Sequence, residues 1–213
     1  VKGDGTWFYS GGMHAGMEYA KEKLSKDFSY MLLINDDVEF LNQCILQMID
    51  QSKEQRDAVI VGTMKDKNGM QSYGAIKYIH GYKYRRLNIS EWQVEADTFN
   101  ANCVLVPYKV FEQIGSMDSF YRHSLGDFDY GLSLKRAGYK IYQSKDFVGV
   151  CNNNSKDNTW NDTSLGRIER IRKKESVKGA PTKQWFYFLK KNFNLGAAVK
   201  GCITPYIRII VGR

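Results

Sequence analysis

A chain of 213 residues is long enough to bury one sizeable hydrophobic core, and its apolar content of 43% and charged content of 25% are ordinary for a globular protein. The four cysteines lie far apart without a CxxC pair, which argues against a zinc ribbon or a disulfide framework and indicates a reducing compartment. No signal peptide is visible and no apolar run approaches the ~20 residues that cross a bilayer, so we expect no membrane span.

The positive charge is concentrated near the C-terminus. Between residues 167 and 213, twelve lysines and arginines against two acidic residues give a net charge of +10. Because the whole chain carries +8, the remaining residues carry a net charge of −2. A basic tail of this kind suits an anionic surface, such as membrane phospholipid, nucleic acid or an anionic carrier.

The first predicted helix follows a glycine-rich segment. Gly11 and Gly12 lead into residues 13–24, whose apolar side chains recur at helical spacing. Glycines ahead of a helix let a ligand approach the backbone closely, and a helix N-terminus favours anions. The alternative is a tight loop packed against the sheet, without a role in binding.

The next predicted element is a strand with polar residues at its carboxyl end. Four apolar residues, 31–34, run directly into Asn35, Asp36 and Asp37. A short continuous apolar run suits a strand that is covered on both faces, as in a parallel sheet. Ligands of open α/β sheets bind at the carboxyl ends of strands, and carboxylates there suit Mg²⁺ or Mn²⁺ and, through the ion, a diphosphate. The alternative is a solvated turn after the strand.

The remaining pattern alternates helices with short strands and contains no internal repeat, which indicates an α/β fold. Further helices are predicted at residues 41–51, at 110–114 and, with a strongly basic composition, at 165–174. Further strands are predicted at residues 58–62, within 97–107, at 139–142 and at 147–151, with a hairpin or loop over 73–84.

A second acidic group opens another helix. Asp127 and Asp129 stand at the start of a helical pattern that Gly138 ends. Acidic residues in this position are common helix caps, because they accept hydrogen bonds from the first backbone amides. They are also suited to take a proton from a substrate, and one residue can serve both purposes.

Several segments together resemble the family-2 nucleotide-diphospho-sugar glycosyltransferases, over roughly residues 3–151. The order and spacing of these segments are more specific than any one of them. The segments are a glycine-containing loop and helix (Gly3-Asp4-Gly5 and Gly11-Gly12-Met13-His14-Ala15-Gly16), a DxD-type metal motif (Leu33-Ile34-Asn35-Asp36-Asp37), an acceptor-side strand and turn (Ala101-Asn102-Cys103-Val104-Leu105-Val106 and Ile114-Gly115-Ser116-Met117-Asp118), and an EDxD-like stretch (Gly126-Asp127-Phe128-Asp129 with Leu134-Lys135-Arg136-Ala137-Gly138-Tyr139).

The resemblance implies a GT-A fold, a Rossmann-like mixed sheet flanked by helices, and it implies a nucleotide-diphospho-sugar donor. Asp37 matches the metal-binding carboxylate, with Mn²⁺ or Mg²⁺ as the ion. Asn35 and Asp36 would lie along the ribose and diphosphate, and Gly11 and Gly12 belong to the segment that would approach the nucleotide.

The resemblance also implies the catalytic residues. Asp127 matches the catalytic base, and Asp129 matches its supporting acid. A sugar hydroxyl is a poor nucleophile, so a positioned carboxylate takes its proton as it attacks the anomeric carbon. Direct displacement with one base inverts the anomeric centre and needs no covalent nucleophile.

Three features depart from the family pattern. The family begins with a nucleotide-binding strand that carries an early aspartate, and nothing here corresponds to it, so we expect an N-terminally incomplete fold. Gly126 stands where the family often has glutamate. Val150, Cys151 and Asn152 stand where many relatives end the strand with a metal-binding histidine. Either Cys151 or Asn152 substitutes for that ligand, or Cys151 is a packed cysteine, which is what we expect.

We therefore expect a glycosyltransferase core at residues 1–151 and a basic, aromatic-containing extension at 152–213. The expected activity is hexosyl transfer to a glycan or lipid-linked acceptor, in the cytoplasm or at the inner membrane face, during surface polysaccharide assembly. Trp185, Phe186, Phe188 and Leu189 either lie in a membrane interface or belong to a packed helix. The alternatives are a non-catalytic nucleotide- or sugar-binding relative and a nucleic-acid-binding protein that uses the basic tail.

Overall fold

The computed structural model describes residues 1–24 and 28–212, so Arg213, the last residue of the predicted extension, lies outside it. The helices are α1 (Phe8–Lys23), α2 (Cys44–Glu54), α3 (Tyr108–Ile114), α4 (Gly126–Arg136), α5 (Arg167–Glu175), α6 (Thr182–Asn192) and α7 (Leu195–Ile210). The strands are β1 (Tyr30–Ile34), β2 (Glu39–Phe40), β3 (Val59–Lys65), β4 (Gln71–Tyr73), β5 (Ala75–His80), β6 (Lys83–Arg86), β7 (Thr98–Phe99), β8 (Cys103–Pro107) and β9 (Ile141–Val150).

The protein is α/β, with a mixed sheet flanked by helices, as the sequence predicts. The larger sheet has the strand order β1-β8-β3-β9-β2, with β4 paired to β3 outside this path. Strands β3 and β9 run parallel, whereas β8 is antiparallel to both of its neighbours and β2 is antiparallel to β9. A smaller antiparallel sheet has the order β6-β5-β7, which confirms the predicted hairpin over residues 73–84.

The predicted surroundings of β1 were wrong. Among the described residues β1 pairs only with β8, in antiparallel register, and it therefore lies at an edge of the sheet. Only Leu33 of its five residues is buried, and Ile34 is exposed. An apolar run shows that a strand has apolar neighbours on its faces, but it carries no information about which strands pair with its edges.

The core of the larger sheet forms between β3, β8, β9 and helix α2. Met48 of α2 packs against Ile60, Cys103 and Val148, all nearly fully buried. Burying such side chains stabilises a fold by about 1.5–3 kcal/mol each. This core fixes the two strand ends at Ile34 and Val150, from which the candidate site residues extend.

Strand β9 is one continuous strand, which corrects the prediction of two strands at 139–142 and 147–151. The polar residues between them resemble a turn in the sequence, but Gln143 and Ser144 are buried within the strand. The Gln51 side chain donates to the Gln143 carbonyl at 2.9 Å, and the Ser144 hydroxyl accepts from the Thr63 amide at 2.9 Å. These bonds offset the cost of burying polar groups.

The chain divides into two compact units. The first, which we call the sheet unit, comprises Val1 with residues 13–117 and 127–153. The second, the helical unit, comprises residues 2–12, 118–126 and the chain from 154 onward. Two segments that lie within the predicted core of residues 1–151 are therefore part of the helical unit.

A buried lysine, paired with a more exposed glutamate, connects two helices of the helical unit. Lys174 of α5 is fully buried, pairs with Glu175, and donates to the Ala180 carbonyl and the Thr182 hydroxyl. Burial alone would raise the pKa of the Glu175 carboxyl, but hydrogen bonds from Lys174, Tyr206 and Thr182 lower it to about 2. A buried lysine with all its donors satisfied ties α5 to the start of α6.

The aromatic residues of α6 are largely packed. Phe188 and Leu189 are almost completely buried, and the Trp185 and Phe188 rings stack with centroids 5.8 Å apart. The Trp185 indole donates to the Gly201 carbonyl of α7 at 3.1 Å. The packed-helix alternative is confirmed for Phe188 and Leu189, which are not available to a membrane interface.

Candidate functional site

The predicted polar residues do follow the carboxyl end of β1. Asp36 and Asp37 are exposed, and the Asn35 backbone amide donates to the Asn102 carbonyl at 3.1 Å. The Asn35 side-chain Oδ1 is buried and accepts no hydrogen bond from the described residues. An unpaired buried acceptor costs about 1–3 kcal/mol, which a donating ligand or water at this oxygen would recover.

Asp37 lies near Cys151, the residue that follows β9. The Cys151 thiol donates to the Asn152 carbonyl at 3.9 Å, and its sulfur accepts from the Asn102 side-chain amide at 3.5 Å. Burial, together with the negative charge of Asp37, raises the pKa of the thiol. Cys151 is therefore a protonated, packed cysteine, as expected, rather than a thiolate ready to bind a metal.

Asp127 lies in the first turn of α4 with its carboxylate half-buried. Its two oxygens accept hydrogen bonds from the Phe128 amide at 2.9 Å and the Ala101 amide at 3.2 Å, and the Asn100 side chain lies nearby. Burial outweighs these donors and raises the pKa of Asp127 from its ordinary 3.8 to about 6. At neutral pH the group is ionised, yet basic enough to accept a proton.

Asp129 differs from Asp127 in its exposure. The Asp129 residue is 2% exposed, and its backbone carbonyl accepts a hydrogen bond from the Ser133 hydroxyl at 2.8 Å. A side chain this deeply buried does not meet a substrate directly. The placement agrees with a supporting role behind Asp127.

The turn between β7 and β8 makes hydrogen bonds towards both acidic groups. Ala101 donates its backbone amide to Asp127, and the next residue, Asn102, bonds to Asn35 and to Cys151, which lies near Asp37. Asn102 and Ala101 are buried, so the turn is fixed in place. Two groups that are 90 residues apart in the chain therefore lie near the same turn.

Two tyrosines of the small sheet stand beside Asp127. The Tyr84 ring meets Phe128 edge-to-face with centroids 5.4 Å apart, and Tyr78 meets Tyr84 at 6.0 Å. Burial raises the pKa of both tyrosine hydroxyls, and the negative charge of Asp127 raises them further. Tyr84 is 52% exposed, which leaves much of its ring accessible next to the carboxylate.

Gly11 and Gly12 are not in a loop ahead of a helix, which corrects the prediction. Helix α1 begins at Phe8, so both glycines lie inside it, and the Gly11 amide donates to the Arg122 carbonyl at 3.1 Å. An amide that is already bonded to a carbonyl is not free for a phosphate. A role of these glycines in nucleotide binding stays a prediction.

The donor groups at Asp37 fit a shared metal site. Within residues 1–24 and 28–212, no group of three or more His, Cys, Asp or Glu side chains is arranged to hold an ion. Mg²⁺ in nucleotide-dependent enzymes often takes one or two carboxylates and fills its other positions with substrate phosphates and water. The exposed carboxylates of Asp36 and Asp37 fit that arrangement.

The sequence patterns identified the acidic residues of the candidate site but not the residues that surround them. Asn100, Tyr78 and Tyr84 were not singled out as site residues, and Asn102 was noted only as part of a strand. The signal that was available is the Asn-Ala-Asn segment directly before a buried strand, a composition typical of a structured turn. The tyrosines lie about 45 residues before Asp127 and become its neighbours only through the small sheet.

Comparison with known proteins adds no assignment. None of the models of known protein families matches this chain. No curated protein is similar to it at a significant level. The candidate site residues and their geometry are therefore the only basis for proposing a function.

The raised pKa of Asp127 predicts a pH-dependent stability difference. Because the folded pKa is about 6 and the unfolded value about 3.8, the wild type should lose about 2 kcal/mol of unfolding free energy from this group as the pH rises from 4 to 8. The Asp127→Asn variant should lack this loss. Urea denaturation of both proteins at each pH measures it; parallel stability curves for the two proteins would contradict the raised pKa.

Proposed function

We propose that the protein is an inverting glycosyltransferase with a GT-A type of fold, which moves a sugar from a nucleotide-diphospho-sugar to an acceptor hydroxyl. The observation that carries the proposal is that one turn bonds to Asp127 through Ala101 and, through Asn102, to Cys151, which lies near Asp37. Sugar transfer needs two such acidic groups near each other, one at the departing diphosphate and one at the attacking hydroxyl.

Asp127 supplies the base in this proposal. Its ionised carboxylate accepts the proton of the acceptor hydroxyl while that oxygen bonds to the anomeric carbon. The bond from this carbon to the diphosphate oxygen breaks, and the nucleoside diphosphate leaves with the electron pair. The bonds from Ala101 and Phe128 orient the carboxylate before the acceptor arrives, so little reorganisation is needed during the reaction.

Asp37 supplies the donor side of the site. A divalent ion bound there would offset the negative charge that develops on the leaving diphosphate. Asp37 lies near Cys151 at the end of β9, and Asp36 extends the acidic edge beside it. Asn35, with its unpaired Oδ1, is suited to accept a hydrogen bond from a ribose hydroxyl.

Tyr84 supplies part of the acceptor side. Its exposed ring stands next to Asp127 and offers an apolar face of the kind on which a sugar ring packs. An acceptor sugar on that face would bring a hydroxyl towards the base. The acceptor would then be a carbohydrate, free or carried on a lipid, as in surface polysaccharide assembly.

The Asp127→Asn variant should abolish sugar transfer and donor hydrolysis, because an amide cannot accept the proton. We expect a loss of about 10²–10⁴-fold in kcat with donor binding unchanged. The measurement is release of nucleoside diphosphate from a panel of nucleotide sugars with Mn²⁺, and wild-type kcat/KM should rise with pH through about 6.

The exposed Asp50→Asn serves as control and should keep full activity. Nucleotide-sugar binding by the wild type with no turnover of any donor in the panel would instead favour a non-catalytic binding relative. Full activity of Asp127→Asn would contradict the assignment of the base.

The Asp37→Ala variant should lose metal-dependent turnover and keep its fold, since Asp37 is exposed. Its melting temperature should stay within a few degrees of the wild type, because substitutions of exposed side chains usually change the unfolding free energy by no more than about 0.5 kcal/mol. Turnover is measured across a titration of Mn²⁺. A large loss of stability accompanied by normal turnover would count against a metal ligand here.

The Tyr84→Ala variant should raise KM for the acceptor and leave donor hydrolysis in the absence of acceptor unchanged. Loss of one ring contact is expected to cost about 1–2 kcal/mol, or roughly tenfold in acceptor kcat/KM. The Tyr84→Phe variant keeps the ring and should behave as the wild type. An equal effect of Tyr84→Ala on hydrolysis and transfer would show that the ring supports Asp127 rather than the acceptor.

A further inference from the structure

Helix α7 exposes a row of large apolar side chains. Leu195, Val199, Ile203, Ile207 and Ile210 are each between 46% and 59% exposed. Single exposed apolar residues are normal on protein surfaces, but a contiguous set on one element marks a contact surface. Exposure of five such residues on a 16-residue helix is unfavourable in water and needs an explanation.

These side chains share one side of the helix. At about 3.6 residues per turn, they fall within roughly one third of the circumference. A second sector faces the helical unit and contains the buried residues Ala198, Gly201, Cys202 and Ile209. The third sector is polar and exposed, and it contains Lys200, Thr204 and Arg208. The helix therefore has a buried side, an exposed apolar side and an exposed polar side on which Lys200 lies next to the apolar row.

The charge around this surface has one sign. Helix α7 has no acidic residue, and residues 167–213 carry a net charge of +10. Apolar side chains bordered by lysine and arginine are typical of helices that lie in the interface of an anionic membrane. No helix in the described part of the chain is long and apolar enough to cross a bilayer.

We propose that the exposed side of α7 docks the protein onto a bilayer that contains anionic phospholipid, with the helix axis parallel to the membrane. The five apolar side chains would enter the boundary between headgroups and acyl chains, and Lys200, which lies next to the apolar row, would contact the phosphates. The inference does not depend on the proposed activity, although such docking would suit an enzyme with a lipid-linked acceptor.

A nucleic acid and a second copy of the protein fit the exposed side of α7 less well than an anionic bilayer does. A nucleic acid would use the basic residues but would leave the five apolar side chains in water, because phosphate backbones offer no apolar surface. A second copy packed on the same face would bring two regions of net charge +10 together. The charge and the apolar row are both satisfied by an anionic bilayer.

The test is cosedimentation of the full chain with vesicles of phosphatidylcholine alone and of phosphatidylcholine mixed with phosphatidylglycerol. The wild type should bind the anionic vesicles, bind the neutral ones much more weakly, and bind less at high salt. The double variant Ile203→Glu/Ile207→Glu should weaken binding by about tenfold or more. Leu46→Glu/Met70→Glu is the matched control, since it adds the same charge at exposed apolar residues of the sheet unit. This control should lose only the small part of the binding to anionic vesicles that follows from a net charge lower by two.

A second variant, Lys200→Gln/Arg208→Gln, guards against misfolding of the first. It alters only exposed side chains and should reduce binding to anionic vesicles without affecting the circular dichroism spectrum. Absence of wild-type binding to anionic vesicles would overturn the proposal, as would equal losses in the glutamate variant and its control. Dimerisation that the glutamate variant abolishes, or tight binding to duplex DNA that it leaves intact, would assign the surface to another occupant.

Discussion

The site depends on the hydrogen bonds that the turn between β7 and β8 makes on its two sides. Ala101 donates its backbone amide to Asp127, and Asn102 reaches both the end of β1 and Cys151 at the end of β9. The buried core of β3, β8 and β9 fixes the strand that follows the turn. The positions of both acidic groups are therefore a consequence of sheet packing, and neither depends on a long flexible loop.

Holding Asp127 in place has an electrostatic cost. Two backbone amides stabilise its ionised form, and burial still raises the pKa to about 6. A surface aspartate would be ionised more easily but would be a weaker base. The raised pKa of Asp127 lowers the free energy of unfolding at neutral pH, and it gives the carboxylate a proton affinity that suits proton transfer. Shifted pKa values of this kind are common at functional sites.

Sequence reasoning succeeded where the signal is local. The polar residues after β1, the hairpin of β5 and β6, and the acidic start of α4 all follow from patterns of a few residues. It failed where the answer depends on distant partners. The edge position of β1 depends on strand pairing, and the continuity of β9 depends on bonds between Gln143 or Ser144 and residues over 80 positions away. The exposed apolar row of α7 can likewise be identified only once the buried residues of the helix are known.

The proposed function requires that Asp37 and Asp127 belong to one site. The decisive measurement is a crystal structure with Mn²⁺ and the nucleoside diphosphate that binds best among those with the common bases. We expect anomalous density for the ion within about 2.2 Å of an Asp37 oxygen. We also expect the terminal phosphate to point into a space that the Asp127 carboxylate borders. An ion and diphosphate bound elsewhere, or an Asp127 carboxylate that faces away from that space, would contradict the proposed function.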